Sequence, residues 1–211
     1  QMVAHGQALR SQRMSTAKAS PPSTAAAAKA SAPAPSGRLE WRLVLRWMVE
    51  DGLVLTEDAT RLARRFDAGD SSLHPLVRLG GAGFETATGR ALDTEALTEW
   101  LARRSGIGYQ RIDPLKADVG RVADVMSAKY AETRRALPLQ VNAGEVVIAT
   151  AEPFDTARVA EIEAHTRKTV RLVLANPVDV QRYTTEFYSI ARSVRAAQKS
   201  GESSASANFE Q

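Results

Sequence analysis

Cysteine is absent from this chain of 211 residues, and histidine occurs only three times. The lack of cysteine excludes disulfide bonds and excludes zinc or iron–sulfur sites that depend on thiolates. The histidines, His5, His74 and His165, are too widely spaced in the sequence to indicate a histidine metal cluster. We therefore expect no metal and no other cofactor.

Long hydrophobic runs are also absent. No segment approaches the roughly 18 consecutive apolar residues of a membrane-spanning helix. The basic N-terminal residues Arg10, Arg13 and Lys18 are not followed by the apolar core of a signal peptide. Because 44% of the residues are apolar, the chain can still bury a core. These features predict a cytoplasmic protein without a membrane span.

The positive net charge comes from one end of the chain. The formal charge is +4, and residues 1–37 contain four basic residues and no acidic one. The remaining 174 residues carry 24 basic and 24 acidic side chains. A basic patch for nucleic acid would require an excess of positive charge on the folded part, so we expect no nucleic-acid partner.

Both ends of the chain are rich in small and polar residues. Residues 1–37 contain no Phe, Trp or Tyr, so they have little apolar surface to offset an ordering cost of about 1–2 kcal/mol per residue. They are predicted to be a disordered leader. Residues 198–211 have a similar Ser, Ala and Gly content and are predicted to be an interdomain linker.

Between these tails, the apolar pattern predicts an α+β protein with two modules. The first module, residues 38–107, is predicted to be small and mainly helical, with a possible short strand at Leu76 to Leu79. The second module, residues 108–197, shows the order helix, strand, strand, helix, strand, helix, in which helices must cover a small sheet. The first of these helices is predicted to begin near Asp118 and to include Tyr130.

The strands and the last helix of the second module have the clearest patterns. The segments LPLQV and EVVIAT flank NAG, which predicts an antiparallel hairpin. Asp155 is predicted to cap the next helix. Asn176 and Pro177 are typical of the start of a helix. The last helix is predicted to carry one apolar stripe: Val180, Tyr183, Phe187, Ile190 and Val194.

No catalytic motif is recognisable. A Walker A loop requires Gly followed by Lys, because the lysine must reach the nucleotide phosphates, and this dipeptide is absent. His74, which precedes Pro75, is more typical of a structural loop residue than of a catalytic base, and His165 is typical of a surface residue. We therefore predict that the chain is not an enzyme and has no catalytic residue.

Ordered landmarks run through about residues 94–190: RIDPLK, VMS, LP, VVIATAEPFD, LANP and QRY…FY. Through these landmarks, the second module resembles the N-terminal domain of the type II secretion and type IV pilus assembly ATPases. In this family, the domain precedes a hexameric P-loop ATPase, to which a polar linker joins it. The resemblance implies that this chain is an N-terminal region without the ATPase domain.

The resemblance also implies a docking function. In the family, the N-terminal region attaches the motor to the inner-membrane platform, chiefly through the cytoplasmic domain of a membrane protein. The expected partners are therefore that platform protein and the ATPase domain of the parent. Trp41, Leu43 and Trp47 are candidate anchors, because aromatic residues are favoured at binding hot spots. The alternative is that Leu43 and Trp47 pack in the core of the first module.

Two other functions remain open at this stage. Some relatives bind cyclic-di-GMP through motifs that begin with RLG, and Arg78 and Gly80 keep this opening although the residues expected after it are missing. Those two residues would bind the ligand in a sensor domain. Similar modules also accompany membrane glycosyltransferases, so an accessory domain of such an enzyme is the other alternative.

Overall fold

The computed structural model describes residues 35–69, 71–86 and 89–207. Side chains are described as far as Lys199. Residues 1–34 of the predicted leader and residues 208–211 of the predicted linker lie outside this description. Within the described residues, the first module contains four helices: α1 (Trp41–Glu50), α2 (Thr56–Asp67), α3 (Pro75–Gly80) and α4 (Thr94–Ser105). The predicted helical character of this module agrees with these elements.

The segment from Leu76 to Leu79 is helical, so the strand predicted there is wrong. Pro75 occupies the first turn of α3, where its missing N–H costs nothing. The Nδ1 atom of His74 accepts a hydrogen bond from the backbone N–H of Leu76 at 3.2 Å and caps the helix. The prediction failed because the cap is a histidine, which is not among the common N-cap residues.

The second module contains a mixed sheet of four strands in the order β1-β4-β3-β2. The strands are β1 (Gly108–Tyr109), β2 (Ala136–Val141), β3 (Glu145–Thr150) and β4 (Thr169–Leu174). The β2–β3 hairpin is antiparallel, as predicted, while β4 pairs in parallel with β3 and with β1. The sequence pattern did not indicate β1, because two residues are too short to show alternation.

The prediction of one continuous helix from Asp118 is wrong. Two 3-10 turns, Pro114–Lys116 and Val119–Arg121, precede a short helix α5 (Val122–Val125). Met126 is extended, and the hydroxyl of Ser127 caps a separate helix α6 (Ala128–Arg134) by accepting from the N–H of Tyr130 at 3.2 Å. The apolar spacing alone did not indicate this interruption, because residues on both sides still face one core.

The last two helices are α7 (Ala157–Thr166) and α8 (Pro177–Ala207). Asn176 caps α8 through Oδ1, which accepts from the N–H of Val178 at 3.0 Å, as predicted. Asp155 does not cap α7; its carboxylate lies 3.5 Å from the guanidinium of Arg158 instead. Helix α8 also continues to Ala207, so part of the predicted linker is helical.

Two hydrophobic cores stabilise the described part of the chain, which forms one compact unit. The larger core lies between the sheet and helices α5 to α8, and its buried members include Leu137, Ile148 and Phe187. The other core lies among helices α1 to α4 and also includes Leu174 of β4. The α+β fold class predicted from the sequence is confirmed.

Candidate docking surface

Helix α1 carries the predicted anchors, but Trp47 is not on its open surface. Only 9% of Trp47 is exposed. Its ring centroid lies 5.6 Å from that of Phe154, which belongs to the turn after β3, and the rings meet edge to face. The guanidinium carbon of Arg104 lies 4.9 Å from the Trp47 ring. In this conformation, Trp47 packs against both Phe154 and α4.

Trp41 and Leu43 are half-buried and offer the more accessible part of α1. The Trp41 ring contacts the Phe66 ring edge to face at a centroid distance of 5.3 Å. The guanidinium carbon of Arg42 lies 4.5 Å from the Trp41 ring centroid, in the range of a cation–π contact. The three predicted anchors therefore share one helix but differ in how much of each side chain a partner could reach.

Arg78 and Gly80, the candidate nucleotide ligands, have structural roles within the first module. One nitrogen of Arg78, Nη2, donates to the carbonyls of Phe66 and Gly69 at 2.7 and 2.8 Å. A Cβ atom at Gly80 would lie 2.5 Å from the backbone nitrogen of Thr94. Gly80 thus permits the close approach of the chain before α4 to the end of α3.

A buried carboxylate holds the start of the first module to the turn after β3. Glu152 is 1% exposed. Its Oε2 accepts from the backbone N–H of Leu39 at 2.7 Å, and its Oε1 accepts from Nη1 of Arg135 at 2.8 Å. Because both oxygens accept from donors, the site requires an ionised carboxylate rather than an amide.

His74 lies beside this carboxylate. Its Nε2 donates to the carbonyl of Ala151 at 3.1 Å and lies 3.6 Å from Oε1 of Glu152. Since Nδ1 accepts from Leu76, the ring is the neutral tautomer with the proton on Nε2. Burial, and then the nearby positive charge of Arg135, lower the pKa of His74 from 6.5 to about 3.

The pKa of Glu152 is shifted in the opposite direction. Burial raises the pKa of this carboxyl above its ordinary value, although the hydrogen bond from Leu39 and the charge of Arg135 lower it in part. Arg135 adopts a left-handed conformation with φ of 48°, which is uncommon for a residue with a side chain. Arg135 at this helix end, where glycine is common, supplies the guanidinium that pairs with Glu152.

The turn that carries Glu152 is itself supported by a fully buried arginine. Arg158 donates through Nη2 to the hydroxyl of Thr150 at 2.6 Å and to the carbonyl of Glu152 at 2.7 Å. Its Nη1 donates to the carbonyl of Arg134 at 2.9 Å. These bonds fix the turn from inside the second module, so the turn presents Glu152 and Phe154 to the first module.

A second carboxylate, Glu95 of α4, joins the modules at another place. It accepts hydrogen bonds from the Tyr109 hydroxyl, from Arg111 at 3.1 Å and from Nδ2 of Asn176 at 2.7 Å. Burial alone would raise the pKa of Glu95. The hydrogen bonds from Tyr109, Asn176 and Arg111 together lower it by a larger amount, so the resulting pKa is below the ordinary value.

Sequence reasoning missed both junction carboxylates. Glu152 directly follows the apolar strand VVIATA, and an acid at the end of a buried strand was a signal for a buried ion pair. Within the described ranges, no group of three or more His, Cys, Asp or Glu is arranged to hold a metal ion. Among the helices described, none is long and apolar enough to cross a membrane.

Comparison with known proteins shows what the second module is similar to. Residues 105–194 match the MshEN domain family. The type IV pilus assembly ATPase TfpB of Acinetobacter baylyi is 36% identical over 111 residues, which are 52% of this chain and 19% of TfpB. The resemblance to the secretion and pilus ATPases is confirmed, and the chain spans about a fifth of the length of this relative.

Two solved structures are similar to the chain. A structure of MshE with cdg covers 72% of this chain and 100% of its own length, with 18% identity and a TM-score of 0.48. A structure of the N-terminal domain of XpsE covers 71% of this chain and 96% of its own length, with 13% identity and a TM-score of 0.43.

Proposed function

We propose, on the premise that residues 105–194 form an MshEN domain, that this chain is the docking region of a secretion or pilus assembly ATPase. Its partner is the cytoplasmic domain of the inner-membrane platform protein, and the chain is peripheral to that membrane through this partner. The match to the MshEN family and to the ATPase TfpB is the observation that carries the proposal.

The chain acts in this role without catalysis of its own. Its sequence contains no Gly-Lys pair and therefore no Walker A lysine. A docking module needs only a rigid surface with anchor side chains in place. The half-buried aromatic and aliphatic side chains of α1, Trp41 and Leu43, supply candidate anchors on the packed first module.

Calorimetric titration of the full chain with the cytoplasmic domain of the platform protein tests this function. We expect saturable binding, and we expect Trp41→Ala to weaken it about tenfold, in keeping with the loss of a hot-spot aromatic. Leu115→Ala is the matched control, because Leu115 is 95% exposed but lies in the second module. Absence of binding by the unaltered chain would reject the docking function.

Cyclic-di-GMP sensing is the second candidate, because the related structure of MshE is a complex with cdg. The arrangement of Arg78 does not favour cyclic-di-GMP binding. Its Nη2 atom already donates to two carbonyls, and its guanidinium carbon lies 4.0 Å from the Phe66 ring centroid. We expect no heat of binding when the full chain is titrated with micromolar cyclic-di-GMP. A saturating isotherm that Arg78→Ala abolishes would make this the leading function.

A further inference from the structure

A groove of about 590 Å³ lies where helices α3, α6 and α8 meet. Its walls come from three segments, residues 72–77, 131–135 and 177–185, and we name it the α8 groove. The volume lies in the range of about 300–1,000 Å³ that is typical of ligand sites in proteins. None of the candidate anchors of α1 lines this groove, so it is separate from the surface proposed above for docking.

Exposed aliphatic side chains contribute to the walls of the α8 groove. Leu73, two residues before α3, is 58% exposed, and Val178, in the first turn of α8, is 49% exposed. Val77 and Val180 add further apolar surface to the same groove. Because large aliphatic side chains are usually covered in folded proteins, this surface favours a ligand that carries aliphatic groups of its own.

Uncharged polar side chains lie among these aliphatic ones. Ser72, Gln181 and Thr185 line the α8 groove and are exposed. Hydroxyl and amide side chains can bond to the N–H and C=O groups of a peptide backbone, which the hydrocarbon chain of a fatty acid lacks. The mixture of aliphatic and hydrogen-bonding side chains therefore fits a peptide better than it fits a fatty acid.

Arg135 brings a partly used guanidinium to the α8 groove, and its side chain is 30% exposed. Its Nη1 atom donates to Glu152 at 2.8 Å. Its Nε and Nη2 atoms have no hydrogen-bond partner among the described residues. These two atoms form one edge of the guanidinium, and their parallel N–H groups match the two oxygens of a carboxylate. Arg135 can thus bind a second carboxylate while it keeps its bond to Glu152.

We propose that the α8 groove binds the C-terminal end of a partner polypeptide: its terminal carboxylate pairs with Arg135, and the aliphatic side chains of its last residues cover Leu73 and Val178. A chain terminus combines in one short segment the carboxylate, the backbone groups and the side chains that the three parts of the groove require. This second binding site goes beyond docking through α1 and does not depend on it.

Glu132 limits the charge of the ligand that the α8 groove accepts. It lies three positions before Arg135, lines the groove and is exposed. It forms no ion pair within the part of the chain that the structure describes. Its negative charge opposes any anion beside Arg135, and it opposes a doubly charged phosphate more than a single carboxylate. The site therefore favours a ligand with one negative charge.

Nuclear magnetic resonance titration of the full chain with two peptides tests the proposal. The probe is acetyl-Ser-Ala-Leu-Val with a free terminal carboxylate, and the control is the same peptide with a terminal amide. We expect the acid to bind with a Kd of about 0.1 to 1 mM and to shift backbone signals of residues 72–77, 131–135 and 177–185. The amide should bind at least about tenfold more weakly, because it loses the charge-assisted bond. Equal binding of the two peptides, no binding of the acid, or shifts confined to other residues would overturn the proposal.

Octanoate distinguishes a peptide site from a fatty-acid site. It carries a carboxylate and an aliphatic chain but no backbone amides, so it cannot use the polar side chains of the groove. We expect octanoate to bind at least about tenfold more weakly than the peptide acid. Binding of octanoate as tight as that of the peptide acid would assign the groove to a fatty acid and overturn the peptide proposal.

Arg135→Lys tests the guanidinium directly. Lysine keeps a positive charge for Glu152 but cannot present two parallel N–H groups. We expect the peptide acid to bind about tenfold more weakly to this variant, with no change for the peptide amide. Arg134→Lys is the matched control, because Arg134 pairs with Asp155 and does not line the groove. Unaltered binding to Arg135→Lys, or an equal loss in both variants, would show that Arg135 does not bind the carboxylate.

The apolar wall offers a test that leaves Arg135 unchanged and decides the matter if Arg135→Lys fails to fold. Val178 and Ile190 both lie on α8 and are each 49% exposed, but Ile190 does not line the groove. We expect Val178→Ala to weaken binding of the peptide acid about threefold, because aliphatic contact is lost. Ile190→Ala should have no effect, and equal effects of the two substitutions would overturn the proposal.

Glu132→Gln should change binding in the opposite direction. We expect the peptide acid to bind about threefold more tightly to this variant at low ionic strength, because a like charge is removed, and we expect the gain to shrink at about 0.5 M salt. Unchanged or weaker binding would contradict a terminal carboxylate beside Arg135. These titrations do not use the platform protein, so their outcome is independent of the docking function proposed for α1.

Discussion

The two junctions between the modules use the same chemical group in different surroundings. Glu152 is almost completely buried and bonds to one backbone N–H and one arginine. Glu95 keeps about a fifth of its side chain exposed and accepts from a tyrosine, an arginine and an asparagine. Burial dominates at Glu152 and raises its pKa, whereas hydrogen bonds dominate at Glu95 and lower its pKa.

This difference means that ionisation of the carboxylate stabilises the junction at Glu95, whereas at Glu152 it is opposed by burial. A carboxylate whose pKa is lowered by its partners gains net stabilisation from them, while one whose pKa is raised is held against a desolvation cost. Loss of either carboxylate is still unfavourable, because the donors around it lose their acceptor. The following experiments order these effects by size.

The largest effect is expected for Glu152→Ala. Removal of the buried carboxylate leaves Arg135 and the Leu39 N–H without their acceptor, which costs about 3–5 kcal/mol in the free energy of unfolding. Urea denaturation followed by circular dichroism measures this loss. Glu161→Ala, at an exposed glutamate, should cost under about 1 kcal/mol; a similar loss in both variants would remove the distinction between buried and exposed carboxylates.

A smaller effect is expected when the unaltered chain is acidified. The pKa of His74 is about 3 in the folded chain and about 6.5 when unfolded. The unfolded chain therefore binds the extra proton, and stability is lost as the pH falls below about 6.5. Between pH 7 and pH 5 the contribution of His74 to this loss should be about 1–2 kcal/mol. The difference in pH slope between the unaltered chain and His74→Asn measures it, because the raised pKa of Glu152 changes stability in the opposite direction in both chains. Equal pH slopes in the two chains would contradict the burial of this ring.

Glu95→Gln should have an effect of about 1 kcal/mol, because the amide keeps an acceptor for one donor but loses its charge. Its lowered pKa means that its contribution is complete above about pH 4.5 and is lost as the pH falls through the folded value. Denaturation at neutral pH and again below about pH 4 should show a difference between variant and unaltered chain that shrinks with acid. If the difference in stability between the variant and the unaltered chain were the same at both pH values, the charge of Glu95 would not contribute to stability.

The smallest effect concerns Tyr109 at the same junction. Burial, followed by its hydrogen bond to Glu95, raises the pKa of Tyr109 to about 12. Ultraviolet titration of the unaltered chain should show one tyrosine ionising near this pH, and Glu95→Gln should move that transition to lower pH. Titration of all tyrosines near pH 10 would contradict the hydrogen bond between these two residues.

Local patterns in the sequence were sufficient where the structure depends on neighbouring residues. The hairpin around NAG and the start of α8 at Asn176 and Pro177 are confirmed, because turn and capping preferences act over a few positions. The segment from Leu76 to Leu79 was assigned the wrong element, because its cap depends on a buried histidine held by the distant carbonyl of Ala151.

The candidate site was less accessible to sequence reasoning than the fold. Trp41, Leu43 and Trp47 were singled out by residue type, but the extent to which a partner could reach Trp47 depends on Phe154, which is more than a hundred positions away. Glu152 and Glu95 were missed because an acid in a sequence has the same appearance whether it is solvated or buried. Only its neighbours in space determine its pKa.

By itself, the amino-acid sequence determined the α+β class, the order of the main elements, the absence of thiolate chemistry and the family resemblance, since all of these follow from composition and short-range spacing. The tertiary structure decided how the two modules meet, which carboxylate is buried, and that Trp47 is covered. These features arise from contacts between distant segments, whose burial and electrostatic energies exist only once the chain has folded.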